Sequence, residues 1–261
     1  MAVNKLKVLS NRQVSQRYWH MIVDSSVISE EINPGQFFNV KCNGEISPLL
    51  RRPLSIYSIN KKEETIEFLY LVKGEGTQKL RGISPGEELD VFGPLGKGFK
   101  LSNEMDMVLL LARGVGIATL AAVAQKANEK NIKSIAVLSA RTRNDLLAAE
   151  TLQELGAQVY IVTDEDRTSE VEHVSELLFD IFEKNSIKAA FTCGSKRLSK
   201  LLKTIAKQKN IPAQIALEEH MGCAMGVCYA CVCDIEEDGI KKSVRVCKDG
   251  PVFDLDKVVL N

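Results

Sequence analysis

The hydrophobic pattern of the first hundred residues has the short period of β-strands. Runs rich in β-branched and aromatic residues recur there, and turn sequences such as Pro34-Gly35 and Pro85-Gly86 separate them. Short, evenly spaced strands of this kind are typical of a small antiparallel barrel. The predicted strands cover residues 18–23, 36–41, 54–59, 65–72 and 88–92.

From residue 106 to 217 the pattern alternates between apolar runs and longer segments with helical period. Strands are predicted at 107–112, 134–140, 158–163, 188–192 and 214–217, and helices at 117–130, 145–155, 171–183 and 199–208. Such alternation indicates an open, doubly wound parallel α/β sheet, which binds ligands at the carboxyl ends of its strands. The predicted domains are therefore a barrel at 1–100, an α/β domain at 101–217 and a small C-terminal domain at 218–261.

Four cysteines dominate the C-terminal region. Cys223, Cys228 and Cys231 have the spacing C-x4-C-x2-C, and Cys247 follows on what we expect to be the returning strand of a hairpin. This spacing is that of plant-type [2Fe-2S] ligation. A structural zinc site would need a second short knuckle, which is missing, and disulfides are disfavoured in a chain without an export signal. Cys233 competes with Cys231 for one ligand position, and the spacing favours Cys231.

Composition and charge narrow the class of protein. The 261 residues are 45% hydrophobic and 26% charged, as in ordinary globular proteins. Lys+Arg and Asp+Glu both number 34, so there is no basic excess for nucleic-acid binding. The longest apolar run, 107–112, is too short to span a membrane, and the N-terminus lacks the apolar region of a signal peptide. We therefore expect a cytoplasmic protein.

Two stretches of the barrel region have the chemistry of anion binding. Arg51-Arg52-Pro53-Leu54-Ser55 places a guanidinium and a hydroxyl at a strand end, where they suit a phosphate. Lys73-Gly74-Glu75-Gly76-Thr77 offers open backbone N–H groups and a hydroxyl. The alternative for Gly-x-Gly is an ordinary hairpin turn.

These motifs, taken together, resemble one family. Arg-Arg-Pro-Leu-Ser at 51–55, Gly-Glu-Gly-Thr at 74–77 and Gly-Pro-Leu-Gly-Lys-Gly-Phe at 93–99 occur in order. The cysteine loop at 223–231 and Val-Cys-Lys-Asp-Gly-Pro-Val-Phe at 246–253 complete the series. The whole chain resembles the electron-transfer subunits of dihydroorotate dehydrogenase B, within the ferredoxin reductase superfamily.

The resemblance implies a barrel that binds FAD, an α/β domain that receives a nicotinamide nucleotide and a C-terminal [2Fe-2S] domain. It implies the cluster ligands Cys223, Cys228, Cys231 and Cys247. The residues that it assigns to FAD are Arg52, Pro53, Leu54, Ser55, Leu69, Tyr70, Leu71, Gly76 and Thr77. It places Gly114 and Gly116 at the nicotinamide nucleotide, and it implies a heterotetramer with the flavin-containing catalytic subunit that oxidises dihydroorotate in pyrimidine biosynthesis.

An electron-transfer function of this kind needs no catalytic acid or base, and none is assigned. A flavin accepts two electrons together and releases them singly to an iron–sulfur centre. Two alternatives remain open: a relay subunit of a different oxidoreductase complex with altered or lost NAD(P) binding, and a free-standing NAD(P)H reductase. A module that binds zinc without redox function is the rival from another class.

The chain departs from the family at the carboxyl edge of the predicted sheet. The glycine-rich first turn of the family is here Ala112-Arg113-Gly114-Val115-Gly116, and its Thr-Asp-Asp-Gly stretch is Thr163-Asp164-Glu165-Asp166. Either the turn has drifted without effect, or the Arg113 side chain hinders the nucleotide. Arg141 and Arg143 follow the second strand, where arginine can accommodate a 2′-phosphate, so NADP(H) is at least as plausible as NAD(H).

Overall fold

A computed structural model of the protein describes residues 2–42 and 48–260, and its first region is a closed antiparallel barrel. The strands are β1 (Ala2–Gln13), β2 (Tyr18–Asp24), β3 (Phe37–Val40), β4 (Arg52–Asn60), β5 (Thr65–Leu71) and β6 (Glu88–Leu95). They pair in the order β1-β2-β5-β4-β3-β6. The predicted barrel is confirmed.

Two elements of this region were not predicted from the hydrophobic pattern. Strand β1 places Leu6 and Val8 in the barrel core, but charged residues alternate with them and hide the apolar run. Helix α1 (Glu75–Arg81) begins inside the Gly-x-Gly-Thr stretch, where a hairpin or an anion-binding loop was expected. The fully buried Leu80 anchors this helix to the barrel.

The second region is the predicted doubly wound sheet. Its parallel strands are β7 (Met107–Arg113), β8 (Lys133–Ala140), β9 (Gln158–Thr163), β10 (Ala189–Cys193) and β11 (Ala213–Ala216). Its helices are α2 (Ile117–Glu129), α3 (Ala149–Glu154), α4 (Val171–Lys184) and α5 (Lys196–Lys209). The strands lie in the order β9-β8-β7-β10-β11, so the winding reverses between β7 and β10. Ligands bind at such a reversal.

The C-terminal region begins and ends on this sheet. It contains β12 (Val232–Glu237), β13 (Ile240–Arg245), α6 (Val246–Asp249) and β14 (Val252–Asp254). Strands β12 and β13 form the predicted hairpin, and β14 pairs antiparallel with β11. The segment between β11 and β14 carries all four predicted cluster ligands.

Two predicted elements are wrong in detail. Cys247 lies on the single-turn helix α6 rather than on the returning strand, because β13 already ends at Arg245. The helix predicted at 145–155 begins only at Ala149, since Arg143–Asp145 forms a 3-10 turn and Ala148 has a left-handed backbone with φ 60°. Asp145 is thus outside the helix in which we expected it.

The three regions pack against one another through side chains. Phe37 and Leu95 of the barrel share a buried cluster with Ala224, Val246 and Cys247 of the C-terminal region. The Gln125 amide of α2 donates to the carbonyl of Ile59 at 2.6 Å and accepts from its N–H at 3.0 Å. Within residues 2–42 and 48–260, no helix has the length and apolarity to cross a membrane.

Candidate redox and nucleotide site

One cleft lies between the barrel, the α/β sheet and the start of the cysteine region. It is lined by Phe37, Arg52, Pro53, Leu54, Ser55, Leu69, Tyr70, Leu71, Thr77, Val115, Ala118, Leu217, Glu218, Glu219, Met221 and Pro251. All the non-glycine residues that the resemblance assigned to FAD are therefore brought together. Most of the lining side chains are apolar, and Arg52 supplies a cation.

Gly76 makes room for the Arg52 side chain. A Cβ atom at Gly76 would lie 2.8 Å from Arg52 Nε and 3.0 Å from Cys42 Sγ. The guanidinium is steadied from the other side, because Nη1 donates to the carbonyl of Leu50 at 2.7 Å. A fixed guanidinium beside an apolar slot fits the pyrophosphate and ring system of FAD.

The hydroxyl of Thr77, a predicted FAD ligand, already makes hydrogen bonds within the protein. Its hydroxyl accepts from the N–H groups of Lys73 and Gly74 at 3.0 and 3.2 Å and donates to the carbonyl of Gly74 at 3.1 Å. The side chain therefore holds the beginning of α1 as well as lining the cleft. Arg51, which precedes the FAD residues, is committed to the barrel through Asp90, with 2.8 Å between Nη2 and Oδ1.

The four predicted ligands form two pairs. The N–H groups of Cys223 and Cys228 each donate to the other's sulfur at 3.4 Å. The N–H of Cys247 donates to Cys231 Sγ at 3.4 Å. Among the described residues, no three His, Cys, Asp or Glu side chains converge on a single point as a one-ion site requires. Two thiolates for each of two irons is the arrangement of a [2Fe-2S] centre, so the donor set fits that cluster better than zinc.

Backbone donors favour the thiolate form of Cys223. Partial burial raises the pKa of this thiol, but N–H groups of Cys228, Met225 and Val227 donate to the sulfur and together lower the pKa to about 6. Thiolate is the form that binds metal. Burial raises the pKa of the rival Cys233 to about 11, and that residue lies on β12, outside both pairs.

Arg245 ties the cysteine loop to α6. Its Nη1 donates to the carbonyl of Gly226 at 3.0 Å, and its Nε donates to Asp249 Oδ2 at 3.1 Å. The guanidinium carbon also lies 5.2 Å from the ring centroid of Tyr229. The Arg245 side chain therefore connects the loop that carries Cys223 and Cys228 to the helix that carries Cys247. The spacing of the cysteines did not identify Arg245.

At the carboxyl edge of the sheet, the two predicted nucleotide glycines have different roles. Gly114 has φ +55°, and a Cβ there would contact only the Tyr18 hydroxyl, at 3.6 Å. A Cβ at Gly116 would lie 2.6 Å from the carbonyl carbon of Cys193, so this glycine packs the turn after β7 onto the turn after β10. Gly114 and Gly116 do not line the cleft themselves, but their neighbours Val115 and Ala118 do.

The arginines of this edge differ in their partners, and Arg197 of α5 donates to the carbonyl of Ser169 at 2.7 Å and lies 4.0 Å from Asp164. Arg113 donates to Ser139, Ser169 and Asp164. Arg143 is 2.8 Å from Asp166, so this predicted 2′-phosphate ligand is already paired. Arg141 is exposed at the end of β8.

The sequence did not predict the polar contact between Cys193 and Glu218 beside the cleft. The Cys193 thiol donates to Glu218 Oε1 at 3.7 Å. Burial raises the pKa of the Cys193 thiol, and the neighbouring carboxylate raises it further. Glu218 is exposed to solvent at the cleft, yet the protein atoms packed around its carboxyl group remove enough water to raise its pKa. Cys193 ends β10 and Glu218 follows β11, so only the strand order brings them together.

Comparison with known proteins agrees with this geometry. Residues 218–259 match the family model described as the iron–sulfur cluster binding domain of dihydroorotate dehydrogenase B. The chain is 32% identical, over the full length of both proteins, to the electron transfer subunit of dihydroorotate dehydrogenase B (NAD(+)) from Bacillus cereus (strain B4264). The chain belongs to this family of electron transfer subunits.

Solved structures support the same assignment. The chain is similar to the structure described as NADH-dependent reduced ferredoxin-NADP oxidoreductase, with a TM-score of 0.81, 25% identity and coverage of 100% of this chain and 91% of that one. A type IV self-sufficient cytochrome P450 monooxygenase has a TM-score of 0.66 at 15% identity, over 94% of this chain and 32% of its own. That likeness shows the fold. The predicted family and architecture are confirmed.

Proposed function

We propose that the protein passes electrons between a nicotinamide nucleotide and a partner oxidoreductase through FAD and a [2Fe-2S] cluster. The observation that carries the proposal is the position of the paired cysteines, in the region that also closes the predicted FAD cleft. Met221 lines the cleft only two residues before the first ligand, Cys223. A flavin and a cluster supply the conversion between two-electron and one-electron transfer.

The side chains bind and orient these groups. Arg52 would hold the FAD pyrophosphate, Ser55 and Leu69–Leu71 would lie along the ring, and Val115 lines the cleft from the first turn of the α/β sheet. Cys223 and Cys228 hold one iron, and Cys231 and Cys247 hold the other. Each of these roles is supported by the position of the residue in the cleft or by the pairing of the thiols.

The partner is the dihydroorotate dehydrogenase catalytic subunit, in a cytoplasmic heterotetramer. Exposed apolar side chains on the cysteine loop support docking there: Met225, Val227 and Tyr229 are 50%, 71% and 62% exposed. Apolar groups of this size on one loop are typical of interaction sites. Docking at this loop brings the acceptor close to the cluster.

Anaerobic purification followed by flavin, iron and sulfide assays tests the cofactor content. We expect one FAD and two irons per chain. Cys223→Ser should lose at least half of the bound iron, because it removes one thiolate of a pair, whereas Cys233→Ser should keep the full amount. A colourless protein that contains zinc would contradict the proposal, and iron loss in Cys233→Ser alone would contradict the ligand assignment.

Co-purification from the native host tests the partner. A flavin-containing dihydroorotate dehydrogenase subunit should elute with this protein, and Val227→Glu should weaken the association at least tenfold, since it places a charge on the docking loop. The matched control is Ile240→Glu, on the exposed tip of the β12–β13 hairpin, where Ile240 is 69% exposed. A monomer that reduces soluble acceptors without any co-purifying subunit would refute the partner.

A further inference from the structure

Arg113 lies where the first turn and the second strand of the α/β sheet meet. It is the last residue of β7, and its guanidinium reaches Ser139 near the end of β8. In doubly wound sheets the pyrophosphate of a dinucleotide lies over the first turn, and its adenosine ribose lies at the end of the second strand. The Arg113 guanidinium therefore lies along the expected course of a nucleotide.

Two buried hydroxyls fix this guanidinium. Nη1 donates to Ser139 Oγ at 2.6 Å and to Ser169 Oγ at 2.9 Å. Ser139 is 3% exposed, Ser169 is fully buried, and their hydroxyl oxygens are 2.6 Å apart. Both serines belong to the packed interior, so these two contacts lie on the side of the guanidinium that faces away from solvent.

The remaining contact is of a different kind. Asp164 accepts from Nη1 at 3.2 Å and from Nη2 at 2.5 Å, yet its side chain is 45% exposed. It begins the exposed loop that follows β9. The hydrogen bond from Arg113 holds the pKa of this carboxyl below its usual range, so Asp164 is ionised at neutral pH. The Asp164 carboxylate thus binds the Arg113 guanidinium with the two hydrogen bonds that a bound anionic ligand would make.

We propose that Arg113 is a specificity-determining residue of the nucleotide site, at which a nucleotide phosphate replaces Asp164 on the guanidinium. Ser139 and Ser169 keep the guanidinium in place during the exchange. Phosphate and carboxylate bind arginine with the same bidentate geometry, so the exchange needs no rearrangement of the sheet. This inference rests on the proposed binding of a nicotinamide nucleotide.

The phosphate has two possible sources on such a nucleotide. The pyrophosphate occurs in both NAD(H) and NADP(H), and the 2′-phosphate occurs only in NADP(H). ADP and 2′-phosphoadenosine 5′-monophosphate present these groups separately. Titrating the FAD-loaded full-length protein with each compound, at two salt concentrations, distinguishes the sources.

Three variants make the test specific. Asp164→Asn removes the competing charge, so the assigned compound should bind several-fold more tightly and with a steeper salt dependence. Arg113→Gln should weaken its binding about tenfold, the effect of losing a charge-assisted hydrogen bond. Lys184→Gln is the matched control, since Lys184 is also a cation paired with an aspartate, Asp180, but lies at the end of α4 and makes no hydrogen bond to Ser139 or Ser169. Its affinity should stay within about twofold of the wild type.

The outcomes are separable. An effect on ADP alone assigns the pyrophosphate, and an effect on the 2′-phosphate compound alone assigns NADP(H) selectivity. Unchanged or weaker binding by folded Asp164→Asn overturns the inference. If Arg113→Gln fails to fold, Arg113→Lys replaces it, because lysine keeps the charge but loses bidentate geometry and should still bind several-fold more weakly.

The wild type separates this inference from the proposed function. Flavin bleaching by NADH or NADPH together with an unchanged Asp164→Asn affinity refutes only the role of Arg113. If neither NADH nor NADPH bleaches the flavin, and neither binds to the wild type or to any variant, then the nicotinamide step and the role of Arg113 are refuted together.

Discussion

Glu218 is a carboxyl group whose ionisation opposes folding. The protein atoms packed around the carboxyl group beside the Cys193 thiol raise its pKa above the ordinary value of 4.5, although the residue is exposed to solvent at the cleft, which moderates the shift. The folded protein therefore binds this proton more tightly than the unfolded chain does. The contribution to stability is fully present below pH 4.5 and is lost as the pH rises through the folded-state pKa.

We accordingly expect the wild type to lose stability relative to Glu218→Gln as the pH rises above 4.5. Urea denaturation of both proteins across pH 4 to 8 measures the difference. Glu237→Gln is a control of opposite sign, because hydrogen bonds from Lys242 and Lys257 lower the Glu237 pKa to about 2. The wild type should lose stability relative to that variant as the pH falls below 4.5. Parallel curves for Glu218→Gln and the wild type would contradict the raised pKa.

At the residue scale, the sequence was informative where ligands are close together in the chain. Cys223, Cys228 and Cys231 occupy nine residues, so their spacing alone indicated a cluster. The pair Cys193 and Glu218 and the contacts of Arg113 with Ser139 and Ser169 join positions 25 to 56 residues apart. The order and register of the strands set those contacts, and neither can be obtained from local pattern.

At the element scale, the cysteine loop depends on a connection to α6. The loop has little regular structure, and Arg245 joins it to the short helix that carries Cys247. Outer contacts of this kind typically contribute ten- to a hundredfold to metal affinity. Replacing Arg245 by Met should therefore speed the loss of the cluster to a chelator by about tenfold or more.

The loss of cluster absorbance after addition of an iron chelator measures this rate. Lys242→Met is the matched control, because Lys242 lies on the same strand and pairs with Glu237 rather than with the cysteine loop. Arg245→Lys should fall between the two, since lysine keeps the charge without the fork of donors. Equal rates in Arg245→Met and Lys242→Met would show that the connection is dispensable.

The helices that were missed or misplaced share a physical cause. Strands β7 and β8 were predicted because they are buried on both faces and read as continuous apolar runs. Helices α1 and α6 are one or two turns long, and α3 is interrupted at its start, so none has the length that gives a periodic signal. Tertiary contacts hold these short elements.

At the scale of the whole molecule, the order of the three regions was predictable and their packing was not. A change of period near residue 100 and a cysteine loop near the end divide the chain without any structural information. The shared core of Phe37, Leu95 and Val246 crosses those divisions. So does β14, which belongs to the C-terminal region by sequence and to the α/β sheet by hydrogen bonding. The boundaries at 100 and 217 remain a prediction.

The pairing of β11 with β14 has a consequence for the biogenesis of the holoprotein. The two strands are neighbours in one sheet, so residues 217–251 form an excursion whose two ends are already fastened. The entropy of closing such an excursion grows slowly with its length, and the sheet bears that cost whether or not the thiols hold iron. We therefore expect the [2Fe-2S] cluster to be inserted by an assembly protein after the barrel and the sheet have folded. We likewise expect a cluster lost by oxidation to be replaced without unfolding of the barrel or the sheet.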